Sequence, residues 1–313
     1  MWYALARYDA GGTARSALVL GEQLYDLEQN WERVFPDSGK PKWLGSVDLC
    51  IAHWHESSTE LSALARAAQT AVTEGKLVAV EGGQDKLLAP LSPARVFCTA
   101  SNYIEHAAEM NTILAAKSDS SPYVFIKAGS SVIGPNATVL IPPETEKPDW
   151  EVELGVVIGK TGRRIKAEDA QEYIAGYTVV NDISARDMNR RTDYPFKHDW
   201  FRGKSWDTFC PMGPWFVPAT CISDLHQLKL QLSLNGELKQ DGNTSELIWN
   251  AYEQIEYLSS ILTLQPGDVI ATGTPAGVGM GEGIFLKPGD VMVASVEGVG
   301  SIRNPVAAEE ISC

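Results

Sequence analysis

The stretch Asp149-Trp150-Glu151-Val152-Glu153-Leu154-Gly155-Val156-Val157-Ile158-Gly159 constrains this chain more than any other. Its apolar, β-branched run bounded by glycine reads as a buried strand. Strand side chains alternate, so Glu151 and Glu153 point the same way, roughly 7 Å apart at about 3.3 Å per residue. Two carboxylates on one face of a buried strand repel each other and are costly to desolvate. A bound cation offsets that cost most simply. A third acid, Asp182, closes a second strand-like run, Gly176-Tyr177-Thr178-Val179-Val180-Asn181-Asp182. Three carboxylates form an all-oxygen donor set, which suits Mg2+, Mn2+ or Ca2+ and not zinc. The bland alternative is a solvated strand face. The apolar residues after Glu153 and before Asn181 argue against it.

Composition narrows the class. The chain has 313 residues, enough for one large or two unequal domains. A net charge of -14 disfavours nucleic acid and anionic membrane surfaces as partners. It leaves room for a small anionic substrate, because a bound cation reverses the local field. The five cysteines, Cys50, Cys98, Cys210, Cys221 and Cys313, form no Cys-x-x-Cys pair. They read as reduced thiols of a cytoplasmic protein. No signal peptide opens the chain, and no apolar run is long enough to span a bilayer.

Residues 1–90 read as a small N-terminal α+β domain. Gly11-Gly12 between two apolar runs predicts a hairpin. Thr59 to Glu74 has helical spacing, with Gly75 as its stop. Pro90 and Pro93 mark the boundary. Residues 91–313 read as mainly β, with strands of several orientations. Helices are expected over Ile104–Ala116, Ala167–Glu172 and Asn250–Leu262. Pro266-Gly267-Asp268 is echoed by Pro288-Gly289-Asp290, each a turn opening a strand, which fits a pseudo-symmetric barrel or roll.

Three further segments could carry chemistry. In Ser101-Asn102-Tyr103-Ile104-Glu105-His106-Ala107-Ala108-Glu109, Ser101 or Asn102 can cap a helix on which His106 and Glu109 share a face. A carboxylate beside an imidazole fixes its tautomer and raises its basicity, as a general base needs; an exposed ion pair is the competing reading. Lys204, between aromatics in Trp200-Phe201-Arg202-Gly203-Lys204-Ser205-Trp206, could hold a substrate carboxylate or a developing enolate; a snorkelling surface lysine is the competing reading. Thr272-Gly273-Thr274-Pro275-Ala276-Gly277 could turn backbone N–H groups and a hydroxyl toward an anion.

With these segments in order, the chain resembles the fumarylacetoacetate hydrolase family from about Pro90 to Val306. The motifs are Asn102-Tyr103…His106…Glu109, Glu151-Val152-Glu153, Asn181-Asp182…Arg186-Asp187, Gly203-Lys204-Ser205…Asp207-Thr208…Pro211 and Gly273-Thr274-Pro275-Ala276-Gly277-Val278. The resemblance implies an α+β, mainly β fold with a mixed β-roll, and a homodimer. It also implies Mg2+ or Mn2+ on Glu151, Glu153 and Asp182, and a short lid helix carrying His106 and Glu109. Lys204, Tyr103, Arg186, Asn189 and Thr274 would stand near the substrate. Two positions depart from family patterns: Ser101 stands where fumarylacetoacetate hydrolase has a further metal-binding aspartate, and Asn189 where glutamine is common. The implied chemistry is hydrolysis of a C–C bond in a 2,4-dioxo acid of the acylpyruvate type, through a metal-stabilised pyruvate enolate. Decarboxylation or isomerisation of 2-oxo diacids is the runner-up, and a non-catalytic metal-bound scaffold the third possibility.

Overall fold

A computed structural model gives the fold of residues 1–110 and 113–310. Among these residues the main sheet has eleven strands. Its path runs through Gln23–Asp26, Ala14–Leu20, Ala4–Asp9, Cys210–Pro218, Ile174–Asn181, Val152–Ile158, Val269–Ala271, Val96–Ala100 and Tyr123–Lys127. All neighbours on this path are antiparallel except Val269–Ala271 and Val96–Ala100, which are parallel. A second sheet orders Glu237–Asn243, Lys229–Leu234, Val291–Val296, Gly300–Ala308 and Val139–Ile141. The architecture is α+β with mixed sheets.

Every residue of the paired strands Val152–Ile158 and Ile174–Asn181 is buried. Alternation sorts their side chains between two cores. Leu154 and Val156 join Leu230, Leu232, Met292 and Ala294 beneath the second sheet. Val157 and Val180 turn to the other face, with Phe216 and the N-terminal Trp31, Leu61 and Leu64. Glu153, four residues before Val157, lies on that second face. The β-branched composition that predicts these strands thus reflects burial from both sides.

Residues 1–90 contribute to both cores. Ala4–Asp9 and Ala14–Leu20 form the hairpin around Gly11-Gly12, and Leu5 pairs with Phe216 in the main sheet. The helix here is Trp54–Thr73, longer than expected at its start, and Gly75 follows it at φ 69. Strand pairing therefore crosses the boundary placed near Pro90.

The structure corrects three expectations. The helix expected over Ile104–Ala116 spans only Ile104–Glu109, and residues 113–116 are not helical; Asn111 and Thr112 lie outside the described residues. Neither Ser101 nor Asn102 caps it. Tyr103 stands at the cap position, and the Asn102 amide instead donates to the Trp249 and Thr272 carbonyls. The Pro-Gly-Asp echo is not one repeat of a barrel: the first copy leads into Val269–Ala271 of the main sheet, the second into Val291–Val296 of the other. The strand Cys210–Pro218, central to the main sheet, escapes sequence reading because Pro211, Pro214 and Pro218 interrupt its pattern.

Candidate metal and acid–base site

The register of two strands builds the acid cluster. Val152 stands opposite Asn181, and the Asp182 N–H donates to the Glu151 carbonyl at 2.8 Å. Asp182 is thereby set beside the Glu151–Glu153 pair. One carboxylate oxygen from each of Glu151, Glu153 and Asp182 lies within 4.8 Å of the others. The three residues are 5%, 2% and 1% exposed, so their charge must be met inside the protein.

Three buried cations meet most of it. Lys204 Nζ is 2.6 Å from both Glu151 Oε2 and Asp182 Oδ2, and 5.0 Å from the Phe125 ring centre. Lys127 Nζ donates to Asp182 Oδ1 at 2.5 Å and to the Ile183 carbonyl at 3.0 Å. Arg186 Nε donates to Asp149 Oδ2 at 2.7 Å. Its Nη2 lies 2.6 Å from Glu151 Oε1, an ion pair too poorly aligned to count as a hydrogen bond. Glu153 is different. Its Oε2 accepts the Gly273 N–H at 2.7 Å, and among the described residues no cation pairs with it. Gly273 has φ 108, and a Cβ there would lie 2.7 Å from Asn102 Cβ, so glycine is needed for this contact.

The electrostatics follow. Burial, then the charges of Asp182 and Glu151, push the Glu153 carboxyl well above the usual carboxylate range. Burial pushes Glu151 the same way, but Arg186, Lys204 and His106 outweigh it and hold Glu151 below that range. Burial works against the Lys204 ammonium, yet Asp182 and Glu151 more than compensate. Asp149, Glu151, Glu153 and Asp182 thus face Lys127, Arg186 and Lys204, leaving one carboxylate without a partner charge. An all-oxygen donor set with uncompensated negative charge fits a hard divalent cation. Glu151, Glu153 and Asp182 are the residues that would hold it.

The acid–base pair lies beside this cluster. His106 Nδ1 is 3.2 Å from Glu109 Oε2, and the ring is near enough to act on the Glu151 carboxylate. With Nδ1–H donated to the carboxylate, the neutral ring carries its lone pair on Nε2. Glu109 Oε1 accepts the Gly277 N–H at 3.0 Å, docking the helix onto the loop after Val269–Ala271.

The other expected residues converge unequally. Tyr103 is buried, its hydroxyl has no hydrogen-bond partner among the described residues, and burial and Glu153 push its phenol up. Thr274 Oγ1 donates to the Val152 carbonyl at 2.9 Å and accepts from Gln240 at 2.8 Å, so it braces the loop. Asn189 packs on Gly203, where a Cβ would sit 1.4 Å from its Oδ1; that oxygen is buried with no hydrogen-bond partner among the described residues. Sequence reading missed Lys127 and Asp149. In Tyr123–Lys127 the structure puts Lys127 on the buried side with Phe125. Asp149 carried no separate signal beside the two glutamates.

Residues 95–307 match the family described as fumarylacetoacetate (FAA) hydrolase, C-terminal. The chain belongs to the fumarylacetoacetate hydrolase family. Within that family it is 41% identical over 234 residues to oxaloacetate tautomerase Fahd2a, mitochondrial, of Rattus norvegicus, covering 74% of this chain and 72% of the relative. The fold is similar to the fumarylacetoacetate hydrolase of psychrophilic Exiguobacterium antarcticum, with a TM-score of 0.77, 32% identity and coverage of 98% and 100%. It is also similar to maleylpyruvate hydrolase of Sphingobium sp. SYK-6 in complex with manganese(II) and pyruvate, at a TM-score of 0.71, 28% identity and coverage of 99% and 100%. Among the described residues no helix is long and apolar enough to cross a membrane.

Proposed function

We propose that the protein is a metal-dependent hydrolase that cleaves the C3–C4 bond of a 2,4-dioxo acid. The observation that carries this reading is the His106–Glu109 contact of 3.2 Å, docked beside a buried three-carboxylate cluster. A Mg2+ or Mn2+ ion on Glu151, Glu153 and Asp182 would supply positive charge and a chelating template for the 1-carboxylate and 2-oxo groups. His106 takes a proton from water at Nε2 while Glu109 holds Nδ1–H. The hydroxide adds to C4, the C3–C4 bond breaks, and its electron pair passes into the enolate of pyruvate. The Lys204 ammonium balances the negative charge that develops there. His106 returns its proton to C3, which completes pyruvate, and C4 leaves as a carboxylic acid. Arg186 holds Glu151 in place, and the Tyr103 hydroxyl, buried with no partner among the described residues, is available to a substrate oxygen.

The second reading is keto–enol tautomerisation or decarboxylation of an oxaloacetate-like acid, favoured by the 41% identity to the rat oxaloacetate tautomerase. It uses the same acids and enolate and makes no demand on water. Incubation with Mg2+ or Mn2+ and a panel of acylpyruvates, oxaloacetate and unsaturated 2-oxo diacids separates the two. Pyruvate plus a carboxylic acid supports the hydrolase; enol–keto exchange or CO2 release without acyl cleavage refutes it. The proposal includes the homodimer and the cytoplasmic location that the resemblance and the unpaired thiols suggest; light scattering and cell fractionation check them.

A further inference from the structure

We propose that Asp149 is a positioning residue that couples the acid cluster to the helix carrying His106 and Glu109. The inference rests on the metal-dependent reading above and gives that site an internal linkage. Asp149 is fully buried, and its two oxygens serve different neighbours. Oδ1 accepts the Trp150 N–H at 2.8 Å and the Gly279 N–H at 2.7 Å. Oδ2 accepts the Met280 N–H at 3.0 Å and Arg186 Nε at 2.7 Å.

Two arms leave this one carboxylate. The first runs through Arg186, whose Nη2 lies 2.6 Å from Glu151 Oε1. The second runs through the turn at residues 277–280. Trp150 Nε1 donates to the Gly277 carbonyl at 3.0 Å, while the Gly277 N–H donates to Glu109 Oε1 at 3.0 Å. The turn is shaped around Asp149: a Cβ on Gly279 would lie 2.8 Å from its Oδ1, and one on Gly281 would lie 2.5 Å from Glu109 Cγ. Every link is a short hydrogen bond, an ion pair or a close packing contact, and all lie in or beside the core. A displacement of Glu151 is therefore passed to the seat of Glu109, and the reverse holds equally. Thermodynamic reciprocity then requires that a cation settling on the acids and the helix docking on the turn act on each other by the same factor, and the proposed sign is favourable, because each holds the Asp149 network in the one arrangement seen here.

The test uses the full chain and Mn2+ as the probe. Calorimetry gives Mn2+ affinity, and amide hydrogen exchange of residues 104–109 is followed with and without Mn2+. In the wild type, Mn2+ slows exchange of this helix. Asp149→Asn keeps one oxygen for Gly279 and Trp150 but turns an amide donor toward Arg186. It is expected to weaken Mn2+ binding about tenfold or more, the scale seen when a group orienting a metal ligand is lost, and to abolish the Mn2+-dependent slowing. In an Arg186→Met background, Asp149→Asn is expected to change Mn2+ affinity no further. Trp150→Phe serves if Asp149→Asn does not fold: it removes one link of the second arm, the bond to the Gly277 carbonyl, and leaves Arg186 on Glu151, so the slowing shrinks and Mn2+ affinity falls by less than in Arg186→Met; slowing of wild-type size in Trp150→Phe overturns the coupling. Mn2+-dependent slowing of wild-type size in Asp149→Asn overturns the coupling, as does full additivity with Arg186→Met. Mn2+ binding to the wild type with no change in helix exchange overturns the coupling alone. Absence of Mn2+ binding overturns the metal reading and the coupling together.

Discussion

Two ionic clusters in this protein, each around a buried acid, are built to different ends. In the N-terminal segment, Asp26 accepts from Tyr8 Oη at 2.6 Å, Arg15 Nε at 2.6 Å and the Gln29 N–H at 2.8 Å. The buried acid meets a cation of its own, a hydroxyl and the first turn of the helix Leu27–Val34, while Arg15 reaches the surface and also lies 3.5 Å from Glu28. The cluster around Glu151 carries one more carboxylate than cations, and the excess rests on Glu153, which receives a single backbone N–H. The buried acid that only stabilises a fold keeps a direct cation, and Glu153 has none among the described residues. A deficit kept at the centre of a buried network is a cost to folding that a ligand removes.

The sharpest way to break this contrast is Glu153→Gln. Activity and Mn2+ binding are expected to fall to background, while the chelator-treated variant melts at or above the wild-type temperature, because a buried repulsion has gone. A metal-free variant less stable than wild type would show that Glu153 is a structural acid like Asp26. Next in size, His106→Ala is expected to lose about 10²- to 10⁴-fold in hydrolysis, the usual contribution of a general base, with Mn2+ affinity little changed. Turnover at the wild-type rate would reduce the His106–Glu109 pair to helix packing.

Asp26→Asn probes the cluster whose acid is paired. It should cost about 1–3 kcal/mol of stability at pH 7, the scale of a lost charge-assisted hydrogen bond, and leave kcat unchanged; urea unfolding and steady-state kinetics measure the two. Smallest are the pH dependences, which carry opposite signs. Burial pushes Asp26 up, but Arg15, Tyr8 and the Gln29 N–H outweigh it and hold its pKa low. Its contribution is full above the unfolded value of about 3.9 and is lost as pH falls through the lowered native value. The raised Glu153 acts in reverse: metal-free wild type loses stability relative to Glu153→Gln as pH rises past about 4.3. Melting curves of chelated protein against pH check both slopes.

Much of this was legible in the sequence, for identifiable reasons. Burial from both sides leaves apolar, β-branched runs, so the strands bearing Glu153 and leading to Asp182 announce themselves. The i, i+3 spacing of His106 and Glu109 places them on one face whatever the helix length. What failed depended on tertiary context. Alanines beyond Glu109 suggested a helix the fold does not continue, since propensity yields to packing. Asn102 looked like a cap because its local chemistry allows one; instead it ties Thr272 and Trp249 to the first turn, a contact only the parallel strand pair creates. Lys127 was overlooked because lysine at a strand end usually reaches solvent, and only a countercharge such as Asp182 makes its burial affordable.

The topology also fixes when the site can exist. Leu5 pairs with Phe216, Arg95 grips Asp268 across a separation of 173 residues, and Glu153 takes its one donor from Gly273. During synthesis the first hairpin leaves the ribosome long before its sheet partner has been made, and the acids are translated well ahead of the glycine that meets them. Until residue 273 emerges, the nascent chain holds an unfinished sheet edge and a Glu153 without its backbone donor. Assembly is thereby deferred toward the end of translation, and the interval of exposure before it is one that chaperones would cover.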